Sequence, residues 1–200
     1  MDLFRSSKVR LVLIISGSLL LGWIGFSWRY AMKYCHRHCI HQTAAAFRLY
    51  ASDHKGNLPF STNGFGDALM LLVNSEYVTG VALTTIPFVC GPDDDGHVFA
   101  AALTNHSIVP EAACSRVYVQ GLNETNNPEI CVLFDRNSCN GGDHARSPWA
   151  HRLREVCLLD SSVRDIRDEA WPEFSRKQVE LLVAAGFSRT NALHYYPAAN

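Results

Sequence analysis

The chain opens with an uncharged, apolar run that limits what its N-terminal part can form. Residues 11–28 (LVLIISGSLLLGWIGFSW) are 18 consecutive positions without a charged side chain. As an α-helix this run is about 27 Å long, since each residue advances the helix axis by about 1.5 Å. The hydrocarbon core of a bilayer is about 30 Å thick. The sequence therefore predicts a transmembrane helix over residues 11–28, after a short cytoplasmic N-terminus at residues 1–10.

A cleaved signal peptide is the competing interpretation of the same run. Arg5, Lys8 and Arg10 resemble the basic region of such a peptide, but no small-x-small cleavage site follows the apolar core. Positive charges are equally frequent on both sides of the run and leave its orientation open. The seven cysteines favour an oxidising compartment. We therefore expect a single-pass protein of the cytoplasmic (inner) membrane with its C-terminal domain in the periplasm.

Length and charge exclude several classes of protein. Two hundred residues suit one ordinary domain with an appendage. The chain has 18 basic and 19 acidic side chains and a net charge of -1, so it lacks the positive surface that nucleic-acid binding requires. The hydrophobic share of 48% is enough for a packed core.

Helical periodicity continues beyond the apolar run. Apolar and small side chains recur every three or four residues between Ala31 and Ser52, which is typical of an amphipathic helix. Gly56 can adopt the left-handed conformation that ends a helix, and Pro59 prevents its continuation. Residues 29–58 are therefore predicted to extend the N-terminal helix, whose apolar stripe needs a surface to pack against.

The remaining chain predicts a small sheet between two shorter helices. Asp67 is a candidate N-cap for the first helix, and Ser175 and Gln178 have the spacing of a capping box for a last helix that ends at Gly186. Four strands with a tight turn at Asp160-Ser161 are indicated at 116–120, 130–134, 154–159 and 162–166. The predicted fold class is α+β: a long N-terminal helix packed on a small antiparallel sheet, with a C-terminal helix. The globular head is assigned to residues 59–187 and a C-terminal tail to residues 188–200.

Several stretches resemble the landmarks of a known family, in the same order. YASDHKGNLP at 50–59 follows a Cys-x-x-x-Cys pair at 35–39 and resembles "Y-A-x-D-H-x-G-x-x-P". FVCGPD at 88–93 and SRVYVQGL at 115–122 resemble "F-x-C-P-x-D" and "S-S-Y-V-Y-V-P-G-L". Asp143-His144 and residues 151–164 are similar to "N-H…G-R-N-V-L-F-x-D-G-H-V-x". Together they resemble pilin-like (pseudopilin-like) proteins of the prepilin-type processing-associated group.

This resemblance implies a pilin-like fold and a non-catalytic role in cell-envelope assembly or type II secretion. The implied partners are membrane lipid and other pilin-like or secretion-system subunits. The chain departs from the family in two places. First, no prepilin cleavage motif precedes the apolar run, and the only similar stretch, Gly25-Phe26-Ser27, lies near the end of that run. Second, Asp160-Ser161 stands where the family has Asp-Gly.

CHRHCIH at residues 35–41 is the most metal-like string in the chain. Cys35 and Cys39 share one face of the predicted helix, and His38 and His41 lie on an adjacent face. Structural zinc sites draw their ligands from two chain segments, and this string supplies one. A membrane-tethered metal-binding or redox module that uses this string is accordingly kept only as the alternative function. The favoured interpretation is a buried cysteine stripe beside solvated histidines, with no bound metal or cofactor.

The cysteines are also candidates for disulfides. Cys35 or Cys39 paired with Cys90 would close a loop of about fifty residues, which stabilises by roughly 4 kcal/mol in the loop-entropy model. Cys131 with Cys139 is a second candidate pair across a turn. Cys114 can replace a member of either pair, whereas Cys157 lies in an apolar strand and is expected to be a buried free thiol.

No motif predicts catalysis. Asp93, Asp94 and Asp95 lack the spacing of a calcium loop, and the Ser138, Asp143 and His144 region lacks the context of a nucleophile. We therefore expect no catalytic residues.

Overall fold

The computed structural model describes residues 7–78, 105, 109–111, 114, 116–140 and 152–197. Side chains are described for residues 14–27 and 40–78 and for all later residues of these ranges except 139–140. The chain divides into two compact units, Met1–Cys35 and His36–Asn200. We call them the N-terminal unit and the head unit.

The first helix, α1, covers Ser7–Asp53. Among the described residues, no helix is both long enough and apolar enough to cross a membrane. The predicted transmembrane helix over 11–28 is therefore wrong, and so is the single-pass location in the inner membrane that depended on it.

In the head unit, α1 packs on the sheet through the predicted stripe. Ile40, Ala44, Phe47 and Ala51 are buried, and the Phe47 ring stacks on the Tyr118 ring with centroids 4.8 Å apart. The amphipathic character predicted for this part of the helix is confirmed.

The helix ends at the predicted glycine. Gly56 has φ 82° and its N–H donates to the carbonyl of Ala51 at 2.7 Å. This contact satisfies one of the last carbonyls of α1, which have no partner within the helix.

Within the described part of the chain, the sheet has five strands, and all of their pairings are antiparallel. Their bounds are Arg116–Tyr118 (β1), Cys131–Asp135 (β2), Cys139–Asn140 (β3), Arg152–Leu158 (β4) and Val163–Arg167 (β5). β2 pairs with β1 and β4, and β4 also pairs with β3 and β5. The four predicted strands are present with bounds shifted by one to two residues. β3 was not predicted because two residues are too few to show alternation.

The turn between β4 and β5 contains a residue in an unfavourable conformation. Ser161 has φ 69°, in the left-handed region that costs non-glycine residues about 1–2 kcal/mol. Ser161→Gly is expected to raise the free energy of unfolding by about 0.5–1 kcal/mol, because relief of this strain exceeds the extra chain entropy of glycine. Urea denaturation of the two proteins measures this change. A Ser162→Gly control, in the same turn but without positive φ, should not be stabilised.

Two helices begin earlier than predicted, so that the expected caps lie inside them. The second helix, α2, covers Phe65–Asn74, and its Asp67 accepts a hydrogen bond from the Ser61 hydroxyl at 2.5 Å. The third, α3, covers Trp171–Ala184 after a 3-10 turn at Asp168–Ala170. Ser175 is buried within α3.

Gln178 connects α3 to the sheet instead of capping the helix. Its Oε1 accepts from the N–H of Cys131 at 2.8 Å, and its Nε2 donates to the carbonyl of Glu129 at 3.1 Å. The predicted capping box is therefore wrong, whereas Gly186, with φ 98°, follows the end of α3 as expected.

The region assigned to a C-terminal tail contains a fourth helix. This helix, α4, covers Arg189–Tyr195 and is capped by Ser188, whose Oγ accepts from the N–H of Asn191 at 3.1 Å. Tyr196 follows it into the core, where its hydroxyl donates to the carbonyl of Cys131 at 2.9 Å. The chain therefore has a mixed α and β fold with C-terminal helices, as the α+β prediction requires.

Candidate functional site

Most of the exposed large apolar side chains among the described residues are on α1 in the N-terminal unit. These side chains are between 48% and 72% exposed and belong to Ile14, Ile15, Leu19, Leu20, Leu21, Trp23, Ile24 and Phe26. We call residues 14–26 the apolar segment. Exposed side chains occur all around this part of the helix, and contiguous apolar patches of this kind mark interaction surfaces.

Small residues interrupt the apolar segment at regular spacing. Ser18, Gly22 and Gly25 are four and three residues apart and share one face of the helix. A Cβ built on Gly22 or Gly25 would have no neighbouring atom within 4 Å. The distance between packed helices depends on the side chains at their contact, so this face permits another helix to approach closely.

The segment that resembles the family motif forms the junction between α1 and the rest of the head. The N–H of Leu58 donates to the carbonyl of Leu122 at 3.0 Å, and the N–H of Glu124 donates to the carbonyl of Gly56 at 2.8 Å. Asn123 adds side-chain hydrogen bonds to Lys55 and Asn57. The residues around Gly56 therefore fix the end of α1 against the turn that follows β1.

His54, the histidine of this motif, contacts other side chains at the end of α1. Its ring stacks on Tyr50 with centroids 3.8 Å apart, and His54 Nδ1 lies 2.8 Å from the carbonyl of Tyr50. The Tyr77 hydroxyl donates to the Asp53 carboxylate at 2.7 Å, and this hydrogen bond is the main reason that the pKa of Tyr77 is raised. These contacts stabilise the last turn of α1.

The predicted metal ligands are not seen as a cluster. His41 is exposed on α1, while the side chains of Cys35, His38 and Cys39 lie outside the described residues, as does Cys90. The described residues contain no group of three or more metal-binding side chains. The metal site therefore stays an alternative hypothesis, and the pairing of Cys35 or Cys39 with Cys90 stays a candidate.

The strand register separates Cys131 from Cys139. Cys131 pairs with Leu158, and Cys139 pairs with Leu153 on the same strand. Five residues along a strand correspond to about 16 Å, whereas the Cα atoms of a disulfide are about 4.4–6.8 Å apart. Cys131 accordingly carries a free thiol, and the predicted bond between these two cysteines is not formed.

The three free cysteines in the described part of the chain are buried. Burial raises the pKa of the Cys114 thiol to about 12 and that of the Cys157 thiol to about 12. It raises the pKa of the Cys131 thiol as well. Because the thiolate is the nucleophile and the metal ligand, these three side chains act as apolar core residues at neutral pH, as expected for Cys157.

A buried charge cluster joins β1, β2 and β4, and no motif in the sequence predicted it. Arg116 is fully buried, with its Nε 3.2 Å from Asp135 Oδ1 and its Nη2 3.5 Å from Glu155 Oε2. The N–H of Glu155 also donates to Asp135 Oδ2 at 2.9 Å. The three residues come from β1, β2 and β4 and are far apart in sequence, so no local spacing signals their contact.

A second arginine, Arg154, lies on β4 of the same sheet. The Arg154 guanidinium is 4.5 Å from the centre of the Trp171 ring, and its Nε is 3.7 Å from Asp168 Oδ1. Partial burial lowers the pKa of Arg154, and the charge of Asp168 opposes that shift. Both arginines serve to hold strands and α3 together.

Comparison with known proteins gives no relative: no family model matches the chain, and neither a curated protein nor a solved structure is significantly similar to it.

Proposed function

We propose that this protein is a pilin-like subunit, a non-catalytic protein of cell-envelope assembly or secretion that works by packing against other copies of itself or related subunits. The observation that carries the proposal is the apolar segment, whose eight large side chains are all at least 48% exposed. A surface of this kind is unfavourable in water, and another protein helix is a suitable cover.

The size of the apolar segment makes such association energetically feasible. Burial of one Leu, Ile or Phe side chain contributes about 1.5–3 kcal/mol, so eight of them supply on the order of 10 kcal/mol. This gain is comparable with the roughly 4–15 kcal/mol that association costs in lost translational and rotational freedom. The face of Ser18, Gly22 and Gly25 adds close packing of the helix backbones.

The head unit is consistent with a pilin-like plan. The C-terminal part of α1 packs on an antiparallel sheet through Phe47 and Tyr118. The motif at 50–59, which resembles that of the family, ends α1 and docks it on the turn after β1. These contacts hold the C-terminal part of α1 within the head unit.

Charge substitution in the apolar segment tests the proposal. We expect the full-length protein to form oligomers at micromolar concentration in sedimentation velocity, and Leu20→Glu to shift it towards the monomer. Leu49→Glu is the matched control, since Leu49 is 57% exposed and Leu20 is 58% exposed, both on α1. The control should leave the oligomers unchanged.

A second variant distinguishes specific packing from general adhesion. Gly22→Leu enlarges the apolar surface but blocks close approach of another helix, so we expect fewer oligomers. More oligomers would mean non-specific adhesion and would contradict the proposal. A monomeric wild-type protein that binds phosphatidylglycerol vesicles would contradict it too, as would an equal effect of Leu20→Glu and Leu49→Glu.

A further inference from the structure

The head unit contains a cleft that the proposed function does not use. It lies between the chain after α1, the turn after β1 and the junction of α3 with α4, and its volume is about 490 Å³. This is within the range of about 300–1,000 Å³ that is typical of ligand sites. We call it the Phe60 cleft, and its wall residues used below are Phe60, Glu111, Gln120, Gly121, Phe187 and His194.

One wall of the Phe60 cleft is aromatic. The Phe60 side chain is 57% exposed and Phe187 is half-buried. A Cβ built on Gly121 would lie 3.7 Å from the Phe187 ring and 3.8 Å from the Phe60 ring. Gly121 has φ 83°, a conformation that favours glycine, so it places no side chain beside the two rings.

The lining also carries polar groups that are held by hydrogen bonds. Glu111 Oε1 accepts from the N–H of Phe65 at 2.9 Å, and its Oε2 lies 3.3 Å from His194 Nε2. Gln120 Oε1 accepts from the N–H of Ser61 at 3.0 Å. The carboxylate, the imidazole and the amide are therefore held in place before any ligand arrives, which reduces the entropy cost of binding.

The charge of the Phe60 cleft selects among classes of ligand. Its described lining includes one carboxylate, that of Glu111, and no lysine or arginine. A phosphate would face that carboxylate without a lysine or arginine, and the one imidazole, that of His194, is already beside Glu111. A divalent cation would find a single carboxylate where it takes several oxygen ligands. A neutral molecule with one apolar face and several hydroxyl groups matches both the rings and the polar groups.

We propose that the Phe60 cleft binds a neutral carbohydrate. The C–H face of a pyranose ring lies against the Phe60 and Phe187 rings, where apolar contact and ring polarisation stabilise it. Its hydroxyl groups donate to the Glu111 carboxylate, a charge-assisted hydrogen bond that is stronger than a neutral one. The Asn191 amide, which also lines the cleft, supplies a further donor and acceptor.

Titration of the full-length protein with two saccharides tests this assignment. We expect calorimetry or NMR to show saturable, millimolar or tighter binding of N-acetylchitotriose or maltotriose, with shifts of the Gly121 and Gly186 amide signals. Phe60→Ala should weaken that binding about tenfold, equivalent to about 1.4 kcal/mol. Leu49→Ala, which truncates an equally exposed side chain elsewhere in the head unit, should not.

Glu111→Gln separates the polar groups from the aromatic wall. Glutamine keeps an oxygen for the N–H of Phe65 but removes the charge, so we expect weaker binding with an unchanged unfolding midpoint. The assignment is overturned if neither saccharide binds at millimolar concentration, or if Phe60→Ala binds as well as the wild type. Because the apolar segment is not involved, these results are independent of the oligomerisation test.

Discussion

Arg116→Ala is expected to lower the free energy of unfolding by about 3–5 kcal/mol, the usual effect of removing one member of a buried ion pair. Arg116 is fully buried, and it faces the carboxylates of Asp135 and Glu155 at 3.2 and 3.5 Å. Alanine would leave both acids in the interior without their cation. The two carboxylates would then have to become protonated or be exposed to water by separation of the strands. Both changes cost free energy in the folded state and so favour the unfolded state.

Chemical denaturation at neutral pH measures this effect. Arg189→Ala is the control: Arg189 forms an ion pair with Glu180 in which both side chains are more than half exposed, and such pairs contribute little. Arg116→Met combined with Asp135→Leu and Glu155→Leu should lose less stability than Arg116→Ala, since the triple variant leaves no unpaired charge. A loss below about 1 kcal/mol for Arg116→Ala would show that the three charges do not depend on one another.

Local signals in the sequence predicted much of the fold. The apolar stripe of α1, its end near Gly56 and the end of α3 before Gly186 were predicted because helix periodicity and positive φ depend on adjacent residues. Four strands were predicted from alternation, with errors at their ends. These features are set by the chain within a few residues.

Tertiary contacts account for the errors. Asp67 and Gln178 are good capping residues, but Ser61 and the start of β2 occupy their polar groups. The helix α4 is too short for periodicity to identify, and Tyr196 is held by a strand 65 residues away in sequence. The burial of Arg116 likewise depends on two acids that no local pattern associates with it.

The candidate functional surfaces also divide into features with a local sequence signal and features set by tertiary contacts. The apolar segment was recognised from composition, yet its interpretation as a membrane span was wrong, because an apolar run does not specify what covers it. The proximity of Cys131 and Cys139 in sequence suggested a disulfide, and the register on β4 separates them. The Phe60 cleft had no sequence signal because its walls come from distant segments.

Phe47→Ala is expected to lower the free energy of unfolding by about 3–5 kcal/mol, as large truncations in protein cores do. The Phe47 side chain is 3% exposed and stacks on Tyr118. It also lines a groove of about 530 Å³ between α1 and the β4–β5 turn. Water entering through this groove would fill part of the new space, which favours the lower half of the range.

Leu49→Ala is the matched control, because Leu49 is on the same helix and is 57% exposed. Urea denaturation should show a large loss for Phe47→Ala and almost none for the control. Amide hydrogen exchange adds the location of the effect. If α1 docks on the sheet as a unit, Phe47→Ala increases amide exchange at residues 40–51 before the strands are affected. The reason is that Phe47 shares the docking of α1 with Arg48 and the 50–59 motif. Equal acceleration throughout the head unit would mean that helix and sheet unfold together.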